Sequence, residues 1–385
     1  MVTETPPVLP WGDVWGQDDA VATLRLAASG SGSLAHAWLI TGPPGSGRST
    51  LAHAFAAALI AEDENDTNTL RQVLAGNHPD LMALRTEGVI ISIAQARSLV
   101  ERSYFSPSAG RHRVLVVEDA DRMTERTSNV LLKALEEPPE QTVWVLCAPS
   151  EADLLPTIRS RVRSLRLREP DVADVADLIV RRTGADRALA EQAARHAQRH
   201  IGMAQRLATD ENARIRRAET LHATLDVRSV GDAVDVAARI VEAATDDAKA
   251  LSAERDADER ASMMRTIGLP EGRAVPPAVR AQLRDLEDDQ KRRATRSLRD
   301  GLDRVLTDLQ SMYRDVLMLQ FGRESDLVNA ELAPQLRGVA DAWPATRTLD
   351  VLEQIQHTRR NLEQNAAPAL ALESMLVTVA SGRTP

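Results

Sequence analysis

Aromatic residues are scarce, at 3% of 385 residues. That argues against a surface of stacked aromatics for single-stranded nucleic acid. Cysteine is nearly absent. The single Cys147 excludes an internal disulfide and any multi-cysteine zinc site within one chain. Its apolar setting, VWVLCA, reads as a buried thiol rather than a reactive one. There is no excess of positive charge: 47 Lys and Arg stand against 56 Asp and Glu, a formal net charge of −9. Contact with DNA would therefore have to come from a local basic patch. No uninterrupted apolar run approaches the roughly 18 to 20 residues needed to span a bilayer, and the opening MVTETPPVLP has neither a basic start nor an apolar h-region. The expectation is a cytoplasmic protein.

The length favours two or three domains, and the patterning predicts three: 1–169, 170–215 and 216–385. The first alternates short β-branched runs with helical patterns, as in a parallel sheet covered by helices on both faces. AWLIT (37–41), RVLVVED (113–119) and TVWVLCA (142–148) read as strands, the last two buried on both faces. RSTLAHAFAAALIA (48–61) and ERTSNVLLKALEEPP read as helices, the latter stopped by Pro138. After LREP (167–170) strands vanish. DVADVADLIVRRTG, ending at Gly184, starts a small helical bundle, and a larger helical unit follows. Within the latter, DDAKALSAERDADER and GLPEGRAVPP (268–277) read as a break and a mobile connection. Leu298, Leu302, Val305, Leu309, Met312 and Val316 then mark one apolar helix face.

The chemistry concentrates around TGPPGSGRST. A phosphate-binding loop aims backbone N–H groups and a helix N-terminus at phosphate oxygens. Gly42, Gly45 and Gly47 have that motif's spacing between strand and helix, followed by Ser49, where a hydroxyl would hold magnesium, and Thr50. Only the lysine is missing. Arg48 keeps the charge, but its planar head cannot take the place of a compact ammonium between phosphates. This pattern allows nucleotide binding and weighs against turnover; a glycine turn without ligand is the bland alternative. At the second acidic strand end, VLVVEDADRM presents Glu118 and Asp119 in the reverse of the order that gives an aspartate to the metal and a glutamate to the attacking water. The bland account is a pair of carboxylates capping the next helix.

LLPTIRSRVRSLRLREP (154–170) carries Arg159, Arg161, Arg163, Arg166 and Arg168. Arginines on an edge strand discourage aggregation. Alternatively, Arg161 stabilises a phosphoryl group held by a neighbouring subunit. Spacing alone does not choose between these.

HAWLITGPPGSG, NVLLKALEEPP and TIRSRVR, in that order and at those separations, resemble the AAA+ clamp-loader subunits of bacterial replication. WGDVWGQ (11–17) is similar to the segment that precedes the P-loop in that family. The similarity covers residues 11 to about 210, with NLEQNAAPALALESML adding to it near the end. It implies a RecA-like AAA+ domain, a small helical lid and a C-terminal all-α collar domain. The collar would join the gamma/tau motor and delta subunits, in an assembly that acts on the sliding clamp and primed DNA. In that family a serine-arginine-cysteine motif supplies an arginine finger to the ATP site of an adjacent motor subunit; by alignment Ser160-Arg161-Val162 stands at that motif, so the resemblance implies that the finger is Arg161, with the cysteine absent.

Two departures stand out. The family's four-cysteine zinc module is replaced by EDENDTNTLRQVLAGNHPD, where His78 reads as a turn residue, so no zinc is expected. In GMAQRLA (202–208), Gln205 occupies the position of the motor subunits' phosphate-sensing arginine, with Arg206 one step later. ATP or ADP with magnesium in a degenerate site is the cofactor expectation. Polymerase chemistry would belong to the holoenzyme. An active motor ATPase and a small P-loop kinase are the competing readings, and the long helical C-terminal half offers the second no acceptor pocket. KRRATRSLR (291–299) could add charge toward DNA, but Glu287, Asp288 and Asp289 precede it, so a solvated helix face accounts for it equally well.

Overall fold

The computed structural model describes residues 11–12, 14–30, 34–63, 65–85, 90–267 and 277–381. The opening MVTETPPVLP and all but the last residue of GLPEGRAVPP lie outside them. The chain divides into two compact units, Met1–Thr209 and Asp210–Pro385.

The first unit is built on five parallel strands: β1 (Ala37–Thr41), β2 (Leu81–Leu84), β3 (Arg113–Val117), β4 (Thr142–Ala148) and β5 (Arg163–Arg166), in the order β2-β3-β4-β1-β5. β1, β3 and β4 are buried at every residue, so their apolar runs serve two cores. Trp38, Ile40, Val114, Val116, Val143, Val145 and Cys147 face α1 (Asp18–Ala28), α2 (Arg48–Ile60) and α3 (Thr67–Leu74). The alternate residues, among them Leu39, Leu115, Val117, Trp144 and Leu146, face α4 (Ile93–Ser103), α5 (Glu125–Glu136) and α6 (Pro156–Arg159). The predicted strands match β1 and β4 residue for residue. β5 is an edge strand, and its mostly exposed side chains include Arg163, whose guanidinium lies 4.9 Å from the Trp38 ring. α7 (Val172–Thr183), α8 (Arg187–His196) and α9 (Ile201–Thr209) complete the unit, and Gly184 ends α7 in the left-handed region, φ 69°.

Between α3 and β3 a single carboxylate organises the loop. Asp80, with no exposed surface, accepts from the backbone N–H groups of Ser108, Ala109 and Gly110 at 2.7, 2.8 and 2.8 Å. It also accepts from the Ser108 hydroxyl and from Arg113 Nη2, each at 3.0 Å. Gly110 is required because a Cβ there would stand 2.5 Å from Ile60 Cγ2. His78, expected as a turn residue, is buried there and accepts from the Asp80 N–H at 3.1 Å.

The second unit is all helix: α10 (Glu211–Leu225), α11 (Val230–Ile267), α12 (Pro277–Gln320), α13 (Ala333–Ala342), α14 (Ala345–Glu363) and α15 (Pro368–Ala380). The predicted apolar face of α12 is the centre of its core, with Leu302, Leu309, Met312 and Val316 at 0% exposure. Tyr313 stacks on Trp343 with centroids 6.0 Å apart. Arg217 is buried between Asp308 and Asn329, at 2.8 and 2.6 Å.

One expectation is corrected. DDAKALSAERDADER is no break; it lies inside the continuous α11. Its alanines and long charged residues are good helix formers. Charged residues along it pair with opposite charges on antiparallel α12: Asp256 with Arg293 at 2.8 Å, Glu259 also with Arg293, and Arg260 with Glu287 at 2.8 Å. High charge was mistaken for a loop signal.

Burial pushes the Asp80 carboxyl up, but the donors at Gly110, Ala109 and Ser108 outweigh it and hold it below the ordinary carboxylate range. A depressed folded value gives stability above the unfolded value, near 3.9, that is lost as pH falls through the folded one. Asp80→Ala leaves several buried donors unpaired and is expected to cost about 3–5 kcal/mol in urea unfolding at pH 7. The difference from wild type should narrow below pH ~4.

Candidate functional site

β1 runs into the glycine loop and α2 leaves it, so the loop sits at the carboxyl end of the sheet. The Gly42 N–H donates to Pro149 O at 3.2 Å, fixing the loop to the end of β4. Gly45 and Gly47 adopt φ 78° and 91°, which a side chain would strain. Gly47 is the N-cap of α2 and supplies no side chain to its first turn, leaving helix N–H groups directed at the loop's hollow.

The hollow is a pocket of about 260 Å³, below the usual 300–1,000 Å³ of small-molecule sites. Gly45, Arg48 and Ser49 line one side, and Trp15, Arg182 and Gln205 line the other. The chain itself encroaches on the loop. The Ile201 N–H at the start of α9 donates to Gly45 O at 3.3 Å, and a Cβ on Gly45 would come within 2.3 Å of His200 Cγ. Of the predicted residues, Gly42, Gly45, Gly47, Arg48, Ser49 and Thr50 belong to this one loop, and Gln205 lines its pocket.

Arg48 carries a donor in search of an acceptor: its Nη1 is buried with no hydrogen-bond partner. That fits a phosphate oxygen. The place for a divalent cation fits less well. Glu118, which would face a metal, lies 3.1 Å from His53 Nε2 and is thus already engaged by an imidazole. Burial pushes Glu118 up, but His53, through its hydrogen bond and charge, and then Arg85 and Ser49 bring it below the usual carboxylate range. Asp121, by contrast, is raised, chiefly by burial, and the charge of Asp119 adds to it. Asp119 is the N-cap of the short turn Ala120–Arg122, with no side-chain cap bond. Among the described residues no group of three or more His, Cys, Asp or Glu side chains is arranged to hold a metal ion. The loop therefore suits a phosphate better than it suits a bound magnesium.

Arg161 lies apart from this pocket, just after α6. Its Nε donates to Glu136 Oε1 at 2.7 Å and its Nη2 pairs with the same oxygen. Nη1 donates to Thr157 O at 2.7 Å and to Ser160 Oγ at 3.0 Å. Arg168 has a different use: its side-chain Nε donates to Gly16 O, beside main-chain bonds in which its N–H donates to Gln17 Oε1 at 3.1 Å and its carbonyl accepts from Gln17 Nε2 at 2.8 Å. The arginine cluster is thus not one surface with one role.

Sequence reasoning missed His53, Arg182 and Trp15. His53 had a readable signal, because four residues after Ser49 places it on the same face of α2. Trp15, with Arg181 4.4 Å over its ring, stood in a quoted motif without an assigned role.

Residues 16–171 match the family described as DNA polymerase III, delta subunit, and residues 297–380 match the family of that subunit's C-terminal part. The chain belongs to the DNA polymerase III clamp-loader subunits. This is the AAA+ fold expected from HAWLITGPPGSG and NVLLKALEEPP. The chain is 34% identical over 146 residues to the DNA polymerase III subunit delta′ of Yersinia pestis, covering 36% of this chain and 43% of that protein. Over 137 residues it is 33% identical to the Bacillus subtilis delta′, covering 34% and 42%. It is also 32% identical over 162 residues to the gamma/tau subunit of Mycobacterium tuberculosis, covering 39% of this chain and 27% of that one. These alignments span less than half the length of each relative. Subunits named delta′ and a subunit named gamma/tau are thus both similar to this chain. Among the described residues no helix is long and apolar enough to cross a membrane.

Beneath the P-loop, Cys147 is fully buried, with Sγ 3.9 Å from Arg48 O. Burial pushes its thiol up to about 12, with nearby Glu118, Asp119 and Asp121 adding to it against Arg48. Below that pH the thiol stays protonated. In the native protein at pH 8, its reaction with an aromatic disulfide reagent should be roughly 10³-fold slower than in the urea-unfolded chain. Equal rates would mean that the floor of the P-loop opens.

Proposed function

We propose that this chain is the delta-prime subunit of the clamp loader, of the kind found in high-GC Gram-positive bacteria. It acts as a non-hydrolysing partner that offers Arg161 to the ATP site of an adjacent motor subunit. The observation that carries this reading is the condition of its own site. Arginine replaces the phosphate-loop lysine, Glu118 is engaged by His53, and Gln205 stands in place of a sensing arginine. Each change removes a part that phosphoryl transfer needs.

The pocket still has features of a phosphate site, namely the glycine cradle, the open start of α2 and the orphan Nη1 of Arg48. ATP or ADP bound without turnover is consistent with all three. The chain would join gamma/tau and delta subunits through its C-terminal helices, in an assembly that places the sliding clamp on primed DNA. In that assembly it carries no polymerase chemistry of its own. Direct DNA contact through KRRATRSLR is not favoured, because Lys291, Arg292, Arg293 and Arg296 are each paired with a carboxylate.

The gamma/tau similarity supports a second reading, an active motor. It requires Arg48 to do the lysine's work, which its planar, bulky head opposes. The finger is tested in a clamp loader reconstituted with Arg161→Ala. A finger in trans predicts loss of turnover on the order of 10³-fold at the site it serves, with ATP binding by the motor subunits retained. Unchanged turnover would refute the finger.

A further inference from the structure

Arg161 does not hang free on the surface. Its guanidinium is held on two sides by elements of its own unit, although its side chain remains 32% exposed. On one side Nε and Nη2 both meet Oε1 of Glu136, the last residue of α5. On the other, Nη1 meets Thr157 O within α6 and Ser160 Oγ. Ser160 is itself fixed, its hydroxyl donating to Thr157 O at 3.1 Å. α5 is anchored in the sheet's core through Leu131, Ala134 and Leu135, so the acceptor on that side is borne by a rigid element.

An arginine at this exposure ordinarily samples many rotamers, and a half-exposed ion pair adds little to stability. The arrangement thus gains little for folding. What it does is select one orientation of the guanidinium before any partner arrives.

We propose that Glu136 is the positioning residue for Arg161, the first glutamate of LLKALEEPP serving to aim the finger at a neighbouring subunit's phosphates. This inference rests on the reading of Arg161 as acting in trans. Glu136 touches no substrate: it acts through the arginine, by holding the Nε–Nη2 edge against α5. Removing it leaves Arg161 charged but unaimed, which slows the chemical step without weakening ATP binding by the motor subunits.

The test is ATP turnover by the reconstituted clamp loader carrying wild type, Glu136→Ala, Glu136→Gln, Arg161→Ala or the Glu136→Ala/Arg161→Ala pair. Positioning predicts that Glu136→Ala lowers kcat on the order of 10-fold with KM for ATP changed less than about 2-fold. Glu136→Gln keeps an acceptor oxygen and should fall between it and wild type. In the Arg161→Ala background, Glu136→Ala should have no further effect, the signature of one residue acting through the other. If Arg161→Ala lowers turnover but Glu136→Ala does not, or lowers it equally in both backgrounds, positioning is overturned and the finger stands. A rise in kcat with Glu136→Ala would show that the glutamate restrains the arginine, and would overturn it too. No loss with Arg161→Ala would overturn the finger and the inference together. Thermal melting of each chain alone checks that the variants fold.

Discussion

Three strands buried on both faces set everything else in the first unit. Because β1, β3 and β4 alternate their side chains between two helical layers, neither face can shift register without turning a core residue outward. Their carboxyl ends are therefore fixed to one another. That is where the glycine loop follows β1, where Glu118 follows β3, and where Pro149, which receives the Gly42 N–H, follows β4. Ligands of parallel sheets bind at such ends because loops there converge on a helix N-terminus. The same frame carries α5, and through it Glu136 and Arg161, to a separate place on the unit.

Two sites built on one frame have different fates. The glycine loop keeps the backbone geometry that binds phosphate while its side chains depart from the chemistry of turnover. A histidine occupies the carboxylate that would face a cation, and the start of α9 leans on Gly45. The arginine region departs in the opposite sense. The motif's cysteine is missing, but the serine and arginine hold a defined hydrogen-bonded geometry. On the proposed reading, a subunit of this kind gives up its own chemistry while retaining the rigidity by which it would serve another's.

Much of this was legible in the sequence, for identifiable reasons. Continuous apolar runs located β1 and β4, and Gly184 and Pro138 located helix ends, because left-handed backbone and proline have few alternatives. The P-loop was legible from glycine spacing alone. What escaped were relations between distant residues. Nothing local in LLKALEEPP says that Glu136 meets Arg161, 25 positions on, and nothing local ties His53 to Glu118. DDAKALSAERDADER misled because a helix paired by salt bridges to a second helix has the composition of a loop. Its partners lie 27 to 37 residues away on α12.

The central claim is that the glycine loop of this chain no longer performs hydrolysis. ATP turnover by the purified chain alone, at saturating ATP and magnesium, tests it most directly. The account predicts no turnover above background, and none gained or lost in Arg48→Ala. Steady turnover that Arg48→Ala abolishes would contradict it, and would make this chain a motor in which an arginine does the work of lysine.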